Sequence, residues 1–164
     1  MFEQPVIEPA KFARSRGRLE GTLQVAALPR VADLAFDGAG AVRYVVSGYQ
    51  NDRGYSALHV ELDGELNLRC QRCLGPLLQP VHSEREIVLV PGADEFAQGG
   101  DEAESEDLIP DVAQLELAPL LEEELLLALP LATRHDEGAC GTGLEMAPEP
   151  AVASPFAALA KLKQ

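Results

Sequence analysis

The residues whose types and spacing suit chemistry begin at Arg69-Cys70-Gln71-Arg72-Cys73-Leu74-Gly75-Pro76. A Cys-x-x-Cys closed by Leu-Gly-Pro is a tight turn that points both sulfurs to one side, as a metal knuckle or a redox disulfide requires. The remaining cysteine, Cys140, follows His135 after a short polar stretch. Cys70, Cys73, His135 and Cys140 together offer the four soft or borderline ligands that one structural zinc takes in a tetrahedron. Such a site would tie the turn to a distant loop, and the fold would gain from it. Against zinc, the His135 to Cys140 spacing is not a compact knuckle, and a zinc ribbon would want a second Cys-x-x-Cys. Two other readings stay open. The cysteines are small semi-buried residues with His135 incidental, or they form a redox dithiol. The dithiol fits less well, because the thioredoxin-type motif opens a helix, whereas this one sits in a turn before Pro76. No nucleophile constellation emerges: His59, His82 and His135 fall in two strands and a loop, with no Gly-x-Ser-x-Gly elbow. Gly38-Ala39-Gly40 lacks the later glycine and the helix of a phosphate cradle. The expectation is a protein that is not an enzyme and has no small-molecule substrate.

The elements that must position these residues are legible from hydrophobic period. Leu58, Val60, Leu62, Leu66, Leu68 and Cys70 fall on one face of a strand, and His59, Glu61, Asp63, Glu65, Asn67 and Arg69 on the other. Gly64 interrupts the apolar row, where a bulge is expected. Residues 80–90 read as the partner strand, so the Cys-x-x-Cys lies near the tip of a long hairpin. Upstream, residues 9–16 read as a short helix opened by Pro9, residues 19–27 as a strand and residues 29–34 as a short helix. Asp37-Gly38 reads as a turn, residues 41–50 as a strand rich in Val and Tyr, and residues 51–54 as a hairpin loop. Leu117, Leu120, Leu121, Leu125 and Leu129 make a helical stripe, with Pro119 in the first turn and Pro130 as the stop. Glu122, Glu123 and Glu124 splay over most of a turn and are expected to form its solvated face.

Residues 91–107 carry seven acidic side chains among Gly, Ala and Gln, and read as a flexible acidic loop. Residues 141–153 read as a linker before a short C-terminal helix, 156–163, capped by Ser154 with Pro155 at its first position. The expectation is one α+β domain over residues 1–164: an antiparallel sheet of about five strands with a few helices on one side. The 46% apolar fraction supports a folded core built from Leu, Val and Ala, since Trp is absent. A formal charge of −14 argues against tight unaided binding to nucleic acid or an anionic membrane, and favours a basic protein partner. Three cysteines make no disulfide framework, the N-terminus resembles no signal peptide, and no apolar run reaches membrane-spanning length. A cytoplasmic protein is expected.

Four pieces in this order resemble the bacterial YceD family, the large ribosomal RNA subunit accumulation proteins. They are Cys70-Gln71-Arg72-Cys73-Leu74-Gly75-Pro76 after a long alternating strand, and the acidic gap after the return strand. The third is the Leu-rich helix over residues 123–130 ending in Leu-Pro, followed by His135 and Cys140. The last is the terminal Ser154-Pro155-Phe156-Ala157-Ala158-Leu159-Ala160-Lys161-Leu162-Lys163. Ser154 stands where the family pattern has Asn, a swap between two good helix caps. The resemblance spans most of residues 9–164. It implies a ribosome-biogenesis role in synthesis, processing or stability of large-subunit ribosomal RNA, and no catalytic activity. Partners would be that RNA or a ribosome-assembly protein. Direct RNA contacts would fall to Arg14, Arg16, Arg18, Arg69 and Arg72, the basic clusters of the chain. The alternative is an acidic protein-binding adaptor that touches no RNA itself.

Overall fold

The structure, a computed structural model, describes residues 5–90 and 107–140. The expected C-terminal helix, the expected 141–153 linker and, apart from Asp107, the acidic loop expected at 91–107 lie outside those residues.

Element order is β1 (Val6–Ile7), α1 (Pro9–Arg14), β2 (Arg18–Gln24), a 3-10 turn (Val25–Ala27), α2 (Pro29–Leu34), β3 (Ala35–Gln50), β4 (Ser56–Arg69), β5 (Pro76–Val90), β6 (Asp107–Pro110), β7 (Leu115–Glu116) and α3 (Leu117–Ala128). Among the described residues the main sheet has five strands in the order β2-β3-β4-β5-β6. Every pair is antiparallel except β5 with β6, which run parallel. β1 and β7 form a separate two-stranded antiparallel ladder. The protein is therefore mixed α+β with a mostly antiparallel sheet and few helices.

The period-two pattern of β4 decides which face is inside. Leu58, Val60, Leu62, Leu66 and Leu68 are buried, and with Val42 and Val46 of β3 and Ile87 of β5 they form one core with Val31 of α2 and Leu117, Leu121 and Leu125 of α3. Alternation puts one strand face in contact with helices and leaves the other to polar side chains. α1 crosses the same face where Gly48 leaves room. A Cβ there would stand 2.7 Å from the Ala13 Cα, so no other residue fits without moving the helix.

Several local expectations need correction. β2 ends at Gln24, because the chain turns to send Val25 and Leu28 into the core. Asp37-Gly38 does not reverse the chain. It lies within β3, where the pairing register slips between Ala35 and Gly40, with Gly38 and Gly40 at positive φ. Gly64, expected to bulge, is regularly paired between Val42 and Val81. Its reason is close packing, since a Cβ would come 2.8 Å from the Ala41 carbonyl oxygen. β5 begins at Pro76, not Pro80. Both prolines sit in the part of the strand that β6 does not cover, where a missing N–H leaves no outer neighbour unpaired. β6 takes in Asp107, which the acidic loop had been expected to include.

The three consecutive glutamates of α3 do not share a solvated face. Glu123 is exposed, but Glu122 and Glu124 are each only 6% exposed. Glu122 reaches the start of α2, where its Oε1 accepts the backbone N–H groups of Arg30 (2.7 Å) and Val31 (3.2 Å). Its Oε2 accepts the Arg30 Nε–H at 3.3 Å. α2 has no capping side chain of its own, so α3 supplies one from a distance.

Glu124 is less well served. Among the described residues its Oε2 has no hydrogen-bond partner, and Arg85 Nε stands 3.7 Å away. Burial raises its pKa, opposed by the Arg85 charge and reinforced by Asp107 and Glu123. Folding then takes up a proton between the unfolded value near 4.5 and the higher folded one. The contribution to stability is most favourable below the unfolded pKa and is lost as pH rises through the folded pKa. Glu124→Gln should therefore melt above the parent at pH 7, and the gap should close below about pH 4.5. A variant that melts below the parent at pH 7 would show that the Arg85 pairing outweighs the burial cost.

Candidate metal centre

β4 delivers Cys70 to the buried end of its core face, and the chain then turns through Gln71-Arg72-Cys73-Leu74-Gly75 into β5. The Cys70 N–H donates to the Gly75 carbonyl (2.9 Å) and the Leu74 N–H to the Cys70 carbonyl (2.8 Å). Leu74 closes the turn in the left-handed region, φ 61°. That geometry aims backbone N–H groups at the sulfurs.

The opposite side comes from the segment after α3. Its attachment to the turn is explicit: the Gln71 N–H donates to the Thr133 carbonyl (2.9 Å), and the Thr133 hydroxyl donates to the Arg69 carbonyl (3.0 Å). A turn at Asp136–Ala139, with Gly138 at φ 81°, then brings Cys140 back over the knuckle. The ligand atoms of Cys70, Cys73, His135 and Cys140 all lie within 4.8 Å of one another. Cys70 Sγ is 3.8 Å from Cys140 Sγ, and His135 Nδ1 is 3.5 Å from Cys73 Sγ and 3.7 Å from Cys140 Sγ.

These separations fit zinc. Bond lengths of about 2.3 Å to sulfur and about 2.0 Å to nitrogen give tetrahedral edges of about 3.8 Å and about 3.5 Å. His135 is also oriented for the task. Its Nε2 lies 2.9 Å from the Pro76 carbonyl and donates to it, which leaves Nδ1 as the lone-pair nitrogen facing the sulfurs. The four residues could hold a metal ion.

The electrostatics follow from the crowding. The Cys73 N–H, with those of His135 and Arg72, lowers the Cys70 pKa to about 5 against the opposing effect of burial. The Cys140 thiol is also lowered, first by the Arg72 guanidinium and then by His135 and Cys73. At Cys73 the Gly75 N–H pulls down, but burial and the neighbouring thiols leave the pKa raised. His135 is raised, chiefly by Cys140 and then Cys70. Thiols packed this closely need their charge balanced, either by protons or by a cation.

The arginines singled out from sequence are not gathered into one surface. Arg14 ends α1, and Arg16 follows it in the left-handed region at φ 52°. Arg18 opens β2 and pairs with Ser47, whose β4 partner is His59. Arg69 closes β4, so the ten residues from His59 to Arg69 separate the two groups by about 33 Å along the sheet. Arg72 belongs to the metal centre: its Nε–H donates to Cys140 Sγ at 2.9 Å and its Nη2–H to the Asp136 carbonyl at 3.1 Å. Nothing in the spacing of the Cys-x-x-Cys marks the arginine inside it for that contact.

Among the described residues no helix is long and apolar enough to cross a membrane. No solved structure matches this chain. A family profile described as "Large ribosomal RNA subunit accumulation protein YceD" matches residues 58–163. A relative of that same name from Haemophilus influenzae is 28% identical over 170 residues, covering 96% of this chain and 94% of the relative. The matched stretch spans more than half of the chain and contains all of β4 but its first two residues, the knuckle, α3 and all four clustered ligands; the chain belongs to the YceD family.

Proposed function

We propose that the protein is a non-catalytic ribosome-biogenesis factor that supports accumulation of large-subunit ribosomal RNA in the cytoplasm. The observation that carries the reading is the family match over residues 58–163, together with the near full-length relative. The role covers synthesis, processing or stability of that RNA. In this reading β4, the knuckle and β5 act as one hairpin arm. One structural zinc, held by Cys70, Cys73, His135 and Cys140, ties that arm to the segment after α3.

A second reading, an adaptor for a basic ribosome-assembly protein, is favoured by a specific observation. A cavity of about 190 Å³ beside the knuckle is rimmed by Leu34, Leu74 and Leu131, whose side chains face solvent. The charge of −14 suits a basic partner better than phosphates, and the two arginine groups lie at opposite ends of the sheet.

The test is depletion in the source bacterium followed by rescue. Depletion should lower the ratio of large-subunit to small-subunit ribosomal RNA, and the parent gene should restore it; an unchanged ratio would end the proposal. The arginines separate the two readings. With Arg14, Arg16, Arg18 and Arg69 replaced by Glu, a direct RNA binder loses association, and its log-log salt dependence flattens by about one unit per lost phosphate contact. An adaptor rescues the ratio with those same substitutions.

A further inference from the structure

We propose that Arg72 is a positioning residue of the metal centre, holding the Cys140 thiolate in place and bringing the loaded site to electrical neutrality. The inference rests on the zinc reading above. A divalent cation with three thiolates and a neutral imidazole keeps one net negative charge. The guanidinium of Arg72 lies directly against the sulfur of one ligand, at 2.9 Å, and supplies the balancing positive charge. A charge-assisted N–H···S contact of this kind withdraws electron density from the sulfur and fixes its direction.

Its second contact explains why an arginine stands here. Nη2–H donates to the Asp136 carbonyl at 3.1 Å, within the turn that carries Cys140 back to the knuckle. One planar fork therefore grips both the ligand and the backbone that presents it. Lysine has a single nitrogen and cannot make both contacts with the same geometry. Arg72 also lies between Cys70 and Cys73 in sequence, so the gripping group belongs to one half of the site and the gripped sulfur to the other. The arrangement joins the two halves independently of the metal.

Metal substitution tests this in the full chain. The zinc of the purified protein is exchanged for cobalt in the parent, Arg72→Lys, Arg72→Gln, Arg72→Ala and a remote Arg43→Ala control on β3. Cobalt reports the site through its sulfur-to-metal charge-transfer absorption. Without the guanidinium the Cys140 thiolate is easier to oxidise, so the bands of Arg72→Ala and Arg72→Gln should move to longer wavelength. Arg72→Lys should fall between them and the parent, and Arg43→Ala should match the parent. Metal affinity should fall by about 10- to 100-fold in Arg72→Ala, the usual cost of removing a group that orients a metal ligand, and chelator-driven release should accelerate with it. A loss of stability alone would change release but not the absorption energy. Identical spectra and release rates across the series would overturn the proposal, with the metal site itself intact. If the parent takes up neither zinc nor cobalt, the metal reading fails and the proposal with it. Should Arg72→Ala not fold, the Arg72→Lys and Arg72→Gln spectra decide the question.

Discussion

Stripping the proposed zinc from the purified protein with a chelator should lower its melting temperature by about 8–16 °C. A ligand present at a thousandfold excess over its dissociation constant stabilises the folded state by about 4 kcal/mol. For a chain of this length each kcal/mol moves the midpoint by about 2–4 °C. Cys73→Ser should bind no zinc and should melt with the stripped parent, because three remaining ligands do not close a structural tetrahedron. The effect should also depend on pH. Ligation requires three thiolates and a neutral imidazole, so protons compete with metal, and metal-linked stability is present at neutral pH and lost as pH falls. One zinc per chain by mass spectrometry, absent from Cys73→Ser, is the confirming result. Protein prepared without chelator that carries no metal, and whose melting is unmoved by chelator, would return the cysteines to ordinary packing.

Glu122→Ala should be a strongly destabilising change at a polar side chain away from the cysteines. The carboxylate satisfies the backbone N–H groups of Arg30 and Val31 and pairs with the Arg30 side chain, and Val31 is fully buried. Alanine leaves two donors at the start of α2 unsatisfied and removes an anion from the positive end of that helix. The expected cost is about 3 kcal/mol, or a fall of about 6–12 °C in Tm. Glu122→Gln keeps an oxygen for the two N–H groups and loses the charge, so it should cost roughly half as much. Thermal melts of both variants beside the parent provide the check. If Glu122→Ala melts with the parent, water satisfies the helix end and the carboxylate is dispensable.

How far the sequence could be read depended on whether a residue's environment is set locally. The buried face of β4 followed from its own alternation, and Pro29 and Pro130 marked the start of α2 and the point just beyond α3. The knuckle was legible because Cys-x-x-Cys-Leu-Gly is a local turn. His135 and Cys140 were candidates by residue type alone, and their distances required the fold. Glu122 was misread for the same reason. On its own helix it looks like part of a charged run, and its partners at Arg30 and Val31 are 92 and 91 residues away. β6 carries only four residues and pairs in parallel with β5, so no period announces it. Arg72 read as a basic surface residue because nothing in its neighbourhood names Cys140 as its partner.

The distance in sequence between the two halves of the metal centre also has a meaning in time. Cys73 and His135 are 62 residues apart. A chain made at about 5–20 residues per second gains Cys73 about 3–12 s before His135 is added. During that interval the nascent protein offers a pair of thiols without the partners, His135 and Cys140, that close the site in the folded chain. The cysteine turn is therefore most open to oxidation and to capture of the wrong metal while the chain is still being made, and the arrival of His135 and Cys140 is what ends that exposure.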